Sequence, residues 1–175
     1  GALDNTVIIY ASDHGEMAGE HGLWWKNVWH EASTRIPFII STPTHRRGGL
    51  ASRDVDIPVS LADLFPTLCG LAGIPLPSNL DGLDLSPLLC GKQLALADQR
   101  PGTISESLSP RWGTGTEFRM LRSDRYKYVA FRDCDDLAFD LDADPNEQTN
   151  LLLHADGDLR ETLEQMRQDV LDGFD

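Results

Sequence analysis

The stretch that decides the fold is Val7-Ile8-Ile9-Tyr10-Ala11, followed directly by Ser12-Asp13-His14-Gly15. Its first part is β-branched, aromatic or small without a polar interruption, and such a run predicts a buried central strand. Polar residues begin where this strand ends, and open α/β sheets bind ligands at the carboxyl ends of their strands. The sequence therefore predicts an α/β sheet with a functional loop at this strand end.

The loop carries the side chains of a metal and anion site. Asp13 and His14 can bind a hard or borderline divalent cation. Lys26, in the same glycine-containing loop, can neutralise a bound tetrahedral anion, and His21 is expected to face the same site. In the alternative interpretation, Asp13 caps a turn and His14 satisfies a local hydrogen bond. The position of the pair after a predicted buried strand favours a site that cleaves sulfate or phosphate esters.

The spacing of these residues resembles a known family. Ser12-Asp13-His14-Gly15, followed by Gly19-Glu20-His21-Gly22-Leu23-Trp24-Trp25-Lys26, resembles the second metal motif of the sulfatases, within the alkaline phosphatase superfamily. The stretch is most similar to the iduronate and choline sulfatase branches. The resemblance implies that Asp13 and His14 are metal ligands and that Lys26 contacts the sulfate group as a catalytic residue.

Further motifs extend the resemblance over nearly the whole chain. They are the segments Glu31–Pro37, in which Ala32 replaces the usual glycine, Asp56–Pro75, Leu80–Leu89 and Phe139–Leu151. The resemblance implies an α/β fold in which residues 1–100 form the C-terminal part of an alkaline-phosphatase-like sulfatase sheet. Residues 101–175 are expected to form a small C-terminal α+β subdomain.

The pattern of the second half supports this subdomain. Phe118–Arg122 and Tyr126–Phe131 alternate in polarity around a polar turn, which predicts a β-hairpin. Thr103–Ser107 and Leu137–Leu141 are further predicted strands. Leucine, methionine and valine residues from Leu159 to Val170 share one stripe and predict an amphipathic helix. Strands followed by a helix predict an antiparallel sheet covered by a C-terminal helix.

The nucleophile of the sulfatases is missing from this sequence. Those enzymes use a formylglycine made from Cys or Ser in a Cys/Ser-x-Pro/Ala-x-Arg motif, and Cys69, Cys90 and Cys134 do not fit it. The paired aspartate ligands and the histidine that protonates the leaving group also lie upstream in the family. The resemblance therefore implies a C-terminal portion that works with the remainder of the same polypeptide and is inactive alone. Cys69 and Cys90 are expected to be buried.

Charge and composition limit the partners. The formal net charge of −13 argues against nucleic acid, which requires clustered Lys and Arg. It does not argue against an anionic substrate, because a bound cation and Lys26 can invert the local potential. No run approaches the roughly 20 apolar residues of a membrane span. The sequence does not indicate a cellular location.

The expected cofactor is a divalent metal. Calcium is the first expectation, and the histidine ligand leaves magnesium or manganese open. The expected substrate is a small-molecule or carbohydrate sulfate ester. Two other functions remain open: a phosphodiesterase or phosphonate monoester hydrolase of the same superfamily, and a non-catalytic remnant that serves as a binding or structural module.

Two neighbouring features of the loop carry structural predictions. Glu31 and Arg35 are spaced for an ion pair on a helix and are expected to brace the loop. His30 has no partner that the sequence can identify, so its default role is surface or structural.

Overall fold

The computed structural model describes residues 1–92, 94, 100–109 and 112–172. The chain divides into two compact units: Gly1–Asp13 with Ile36–Leu96, and His14–Arg35 with Ala97–Asp175. The loop from His14 to Arg35 therefore belongs with the C-terminal sheet in the second unit. The domain boundary at residue 100 stays a prediction.

The described elements include six β-strands and five α-helices, together with short 3₁₀ helices. The strands are β1 (Ile8–Ala11), β2 (Phe38–Ser41), β3 (Thr103–Ser107), β4 (Phe118–Arg122), β5 (Tyr126–Phe131) and β6 (Leu137–Asp140). The helices are α1 (Glu31–Thr34), α2 (Pro43–Arg46), α3 (Leu64–Ala72), α4 (Ser86–Leu89) and α5 (Gly157–Leu171). Among the described residues, none of these helices has the length and apolarity that a membrane span requires.

The first unit contains the predicted strand, but the strand is not buried as expected. β1 pairs antiparallel with β2 in a two-stranded sheet. Tyr10 is 65% exposed and Ile39 is 60% exposed. An apolar sequence allows a strand to be buried, but burial also requires other elements that pack over the strand. Within the described residues of this unit, none covers these two side chains.

The helix α3 in the same unit lies between Asp63 and Gly73. Asp63 is fully buried, and its carboxylate accepts hydrogen bonds from the Ser60 N–H and the Leu83 N–H, each at 2.8 Å. Gly73 ends the helix with a φ of 67°, the left-handed conformation that favours glycine. Cys69 is buried as predicted, but Cys90 is exposed, because α4 ends at Leu89 and leaves Cys90 on a turn.

The second unit contains the predicted antiparallel sheet and its covering helix. The strands lie in the order β3-β4-β5-β6, each antiparallel to the next. One face packs on α5, with Leu121 and Tyr128 of the sheet against the buried helix residues Leu163, Met166 and Val170. The hairpin, the two flanking strands and the amphipathic helix are confirmed.

The opposite face of this sheet holds the loop in place. Trp29 packs edge-on against Phe118 and Phe131, with ring centroids 5.8 and 4.9 Å apart. Because side chains alternate along a strand, Lys127 lies on the same face as Val129 and Phe131. The sheet thus places a cation against the part of the loop that contains Trp29.

Candidate functional site

The loop starts with a close approach between two backbone segments. The Gly15 N–H donates to the Ser33 carbonyl at 2.8 Å, and the Glu16 N–H donates to the Ala32 carbonyl at 2.9 Å. A Cβ atom at position 15 would overlap the Ala32 carbonyl oxygen. Glycine is therefore required after His14, where the start of the loop lies against Ala32 and Ser33.

The loop then folds back on itself. The Met17 N–H donates to the Trp25 carbonyl at 3.0 Å, and the Met17 side chain is fully buried. Trp25 and Asn27 have φ angles of 75° and 76°, so both residues beside Lys26 lie in the left-handed region. Bulky residues rarely adopt this conformation, and it is enriched at functional sites. The reversal brings Lys26 back to the start of the loop.

His14 and Lys26, both half-buried, meet at this point. The His14 Nδ1 lies 2.6 Å from the Gly15 carbonyl oxygen, and the Lys26 Nζ lies 2.5 Å from the His14 Nε2. A carbonyl only accepts, so Nδ1 carries the proton and Nε2 offers its lone pair to the ammonium group. With Nδ1 protonated and the lone pair on Nε2, the ring has the tautomer in which a histidine binds a metal through Nε2.

The predicted metal ligands fit a divalent cation by their donor chemistry. His14 offers a nitrogen lone pair whose tautomer is fixed by a backbone carbonyl, as is usual for metal-ligating histidines. Asp13, its neighbour in the sequence, is exposed and offers a hard anionic oxygen. The ammonium group of Lys26 occupies the His14 lone pair here, so a cation at Nε2 would have to displace it.

The remaining predicted site residue has a different partner. The His21 ring stacks on the His30 ring, with centroids 3.8 Å apart and an interplanar angle of 17°. The structure thus brings His14 and Lys26 together and places His21 on a second cluster. His21 itself is exposed, within the 3₁₀ turn Glu20–Gly22.

The second cluster is a buried charge network that sequence reasoning missed. Lys127 has no exposed side-chain surface, and its Nζ lies 2.7 Å from carboxylate oxygens of both Glu31 and Glu147. It also donates to the Trp29 carbonyl at 2.8 Å. All three ammonium hydrogens therefore have acceptors, which makes the burial of this charge tolerable.

Glu147 joins the parts of this network. Its Oε2 accepts from the Glu31 N–H at 2.7 Å and lies 3.3 Å from the His30 Nδ1. Burial alone raises the pKa of Glu147, but the hydrogen bond from His30 and the charge of Lys127 outweigh it and leave the pKa below its ordinary value. The carboxylate therefore stays ionised in the folded protein.

The network corrects the prediction for Glu31 and Arg35. Glu31 pairs with Lys127, and Arg35 is exposed. α1 is a single turn that ends at Thr34, and Arg35 has an extended backbone with a ψ of 118°. Without a continuing helix, the helical spacing no longer places the two side chains together. The sequence did contain a signal for the true partner of Glu31: a lysine on the apolar side of an otherwise apolar strand.

Comparison with known families identifies the chain. A family model described as "N-sulphoglucosamine sulphohydrolase, C-terminal" matches residues 19–172. The chain belongs to this sulfatase family. Membership implies a divalent metal ion, and it confirms the resemblance first drawn from the Asp13-His14 loop. That loop begins just ahead of the matched residues, while Lys26, Lys127 and Glu147 lie within them.

Individual relatives agree with the family. Arylsulfatase K of Bos taurus is 36% identical over 162 residues, which cover 86% of this chain and 28% of that protein. A phosphonate monoester hydrolase of Agrobacterium radiobacter is 32% identical with a TM-score of 0.81, covering 98% of this chain and 35% of that one. A 2-O GAG sulfatase is 30% identical with a TM-score of 0.80, covering 95% and 35%.

These matches establish the fold and show what share of each relative the chain covers. The solved structures confirm an alkaline-phosphatase-like α/β sulfatase fold with a C-terminal antiparallel sheet and helix. The chain spans 28% of the arylsulfatase K sequence and 35% of the two structures.

Proposed function

We propose that this chain is the C-terminal part of a metal-dependent sulfatase that hydrolyses sulfate esters of small molecules or carbohydrates. The observation that supports the proposal is the contact between His14 and Lys26, in which the Nε2 of a predicted metal ligand lies beside the ammonium group predicted to contact sulfate. It occurs in a chain whose family consists of sulfatases. The nucleophile, a formylglycine, would be supplied by the polypeptide upstream of these residues.

Asp13 and His14 would hold the divalent metal. The carboxylate favours calcium, and the imidazole leaves magnesium or manganese open. When bound, the ion would stabilise negative charge on the sulfate oxygens. The Gly15 carbonyl, by accepting from the His14 Nδ1–H, leaves Nε2 as the unprotonated nitrogen of the ring.

Lys26 would bind the sulfate group and stabilise its charge during S–O cleavage. Its described partner is a neutral imidazole, so its positive charge is not cancelled. The folded-back loop fixes its backbone on both sides, and a pre-positioned charge stabilises a transition state without reorganisation. His21 stays a proposed second substrate contact, supported by its exposure at the tip of the same loop.

One alternative activity has its own support. The likeness to a phosphonate monoester hydrolase covers nearly the whole chain, and a phosphonate monoester presents the same tetrahedral, anionic group. The loop described here would bind either group through Lys26.

An assay of the whole protein with matched leaving groups separates the two. We expect a higher kcat/KM with nitrophenyl sulfate than with a nitrophenyl phosphonate ester. A higher kcat/KM with the phosphonate ester would contradict the proposal. The 175-residue chain alone should release no sulfate, and release by this chain alone would contradict the need for an upstream nucleophile.

A further inference from the structure

A second set of metal-binding side chains lies under the loop tip. His21, His30 and Glu147 each place a ligand atom within 4.8 Å of the others. His30 and Glu147 are 6% and 4% exposed, whereas His21 is open to solvent. Two ligands are thus held rigidly in the interior, and the third can move to receive an ion from solution.

The two buried ligands share a hydrogen bond here, and their separation also suits a small metal ion. The His30 Nδ1 and the Glu147 Oε2 lie 3.3 Å apart. This is long for a hydrogen bond, which is commonly about 2.9–3.0 Å. Two ligands of a tetrahedral zinc ion, each about 2.0–2.2 Å from the metal, lie about 3.3–3.5 Å apart. The spacing already matches one edge of a zinc tetrahedron.

The charge of the network also favours a cation. Lys127 contributes one positive charge, and Glu31 and Glu147 contribute two negative charges. With both imidazoles neutral, the cluster holds one negative charge in excess. Glu31 is partly exposed, so solvent screens part of this excess, and a divalent ion at Glu147 would offset the rest.

His21 supplies the third ligand by a small movement. Its ring is stacked nearly parallel to that of His30, so the in-plane nitrogen lone pairs of the two rings lie in nearly parallel planes. Coordination of one ion needs converging lone pairs, which a rotation of the exposed His21 side chain provides. Water would complete the coordination, since the loop tip is open to solvent.

We propose that His21, His30 and Glu147 bind a divalent transition-metal ion of the zinc class, at a site separate from Asp13 and His14. Two imidazole nitrogens and one carboxylate suit zinc and disfavour calcium and magnesium, which prefer all-oxygen sites. The ion would tie the loop tip to the turn after β6 that carries Glu147. The proposal does not depend on the enzymatic activity.

The test measures zinc binding to the full chain after treatment with a chelator. Asp13 and His14 are first both replaced by Ala, which removes the other proposed metal site. Calorimetric titration of this variant with zinc chloride should give one zinc ion per chain, and excess calcium or magnesium should not compete. Zinc should also raise the Tm, as expected for an ion that binds the folded state.

Adding His21→Ala is the decisive step, because His21 is exposed and its loss leaves the core intact. We expect zinc affinity to fall by more than the roughly 10–100-fold that loss of an outer-shell partner costs. The matched control is His154→Ala, which removes another exposed histidine and should leave zinc affinity unchanged. Unfolding in urea without zinc should show equal stability for both variants.

Two results would overturn the proposal. One is the absence of zinc binding in the Asp13→Ala/His14→Ala variant. The other is an equal zinc affinity with and without His21.

Discussion

Two lysines in the same unit are used in opposite ways. Lys127 is fully buried between two carboxylates, which neutralise its charge inside the protein. Lys26 is half-buried, and its described partner is the neutral His14 ring, which accepts a hydrogen bond without cancelling the charge. The comparison shows that a lysine is available to an anionic ligand when its partner is neutral. The same residue type is structural when its partners are ionised.

The buried network should produce the largest effect on stability. Lys127→Met keeps the volume of the side chain but leaves Glu31 and Glu147 without their cation. Removing one partner of a buried ion pair typically costs about 3–5 kcal/mol. Urea denaturation of the full chain would measure this loss. Lys92→Met, at an exposed lysine, is the matched control and should change little. An equal stability of both variants would show that Lys127 is not the anchor of the loop.

The close approach at Gly15 gives the next effect. Gly15→Ala places a Cβ on the Ala32 carbonyl oxygen, so the two backbone segments must separate. Overpacking of this kind typically costs about 1–3 kcal/mol. The same denaturation experiment reports it, and a variant as stable as the wild type would mean that the loop start tolerates displacement.

The ionised state of Glu147 predicts a dependence on pH. Because the pKa of Glu147 is lower in the folded protein than the ordinary value of 4.5, folding favours the ionised form. The stabilisation is complete above that ordinary value and is lost as the pH falls through the lower pKa of the folded state. Unfolding free energies measured from neutral to acidic pH should therefore fall more steeply for the wild type than for Glu147→Gln. Parallel curves for the two proteins would contradict this.

The strained residue beside Lys26 should give the smallest effect, with the opposite sign. Trp25 has a φ of 75° and is 66% exposed, so Trp25→Gly relieves strain and loses little packing. A left-handed conformation costs a bulky residue about 1–2 kcal/mol. The greater chain entropy of glycine in the unfolded state reduces the gain by about 0.5–1 kcal/mol. We expect a gain below about 1 kcal/mol in urea denaturation. Trp24→Gly, at a comparably exposed residue without a positive φ, should give no gain.

The sequence indicated those parts of the structure that depend on local pattern. The hairpin of β4 and β5 and the helix α5 follow from alternation and from a stripe, which are properties of neighbouring residues. The loop around His14 was found because its motif is contiguous. Sequence reasoning missed the pairing of His30 with Glu147, because 117 positions separate them and only the packed sheet brings them together.

Burial was the other property that local pattern did not determine. β1 is apolar, but Tyr10 is exposed because the described unit places only β2 beside that strand. Lys127 is charged, but it is fully buried because Glu31 and Glu147 meet it from other elements. In both cases the deciding partners lie elsewhere in the chain, so composition alone predicts the wrong environment.

The role of Lys26 is tested most directly by the kinetics and metal content of Lys26→Ala in the whole protein. We predict that kcat/KM for nitrophenyl sulfate falls by about 10²–10³, the usual cost of removing one group that stabilises transition-state charge. Bound metal and stability should stay at wild-type levels, because the ammonium group neither ligates metal nor balances a buried charge. Unchanged kcat/KM, or a loss of activity accompanied by loss of metal, would contradict the assignment of Lys26 as the sulfate contact.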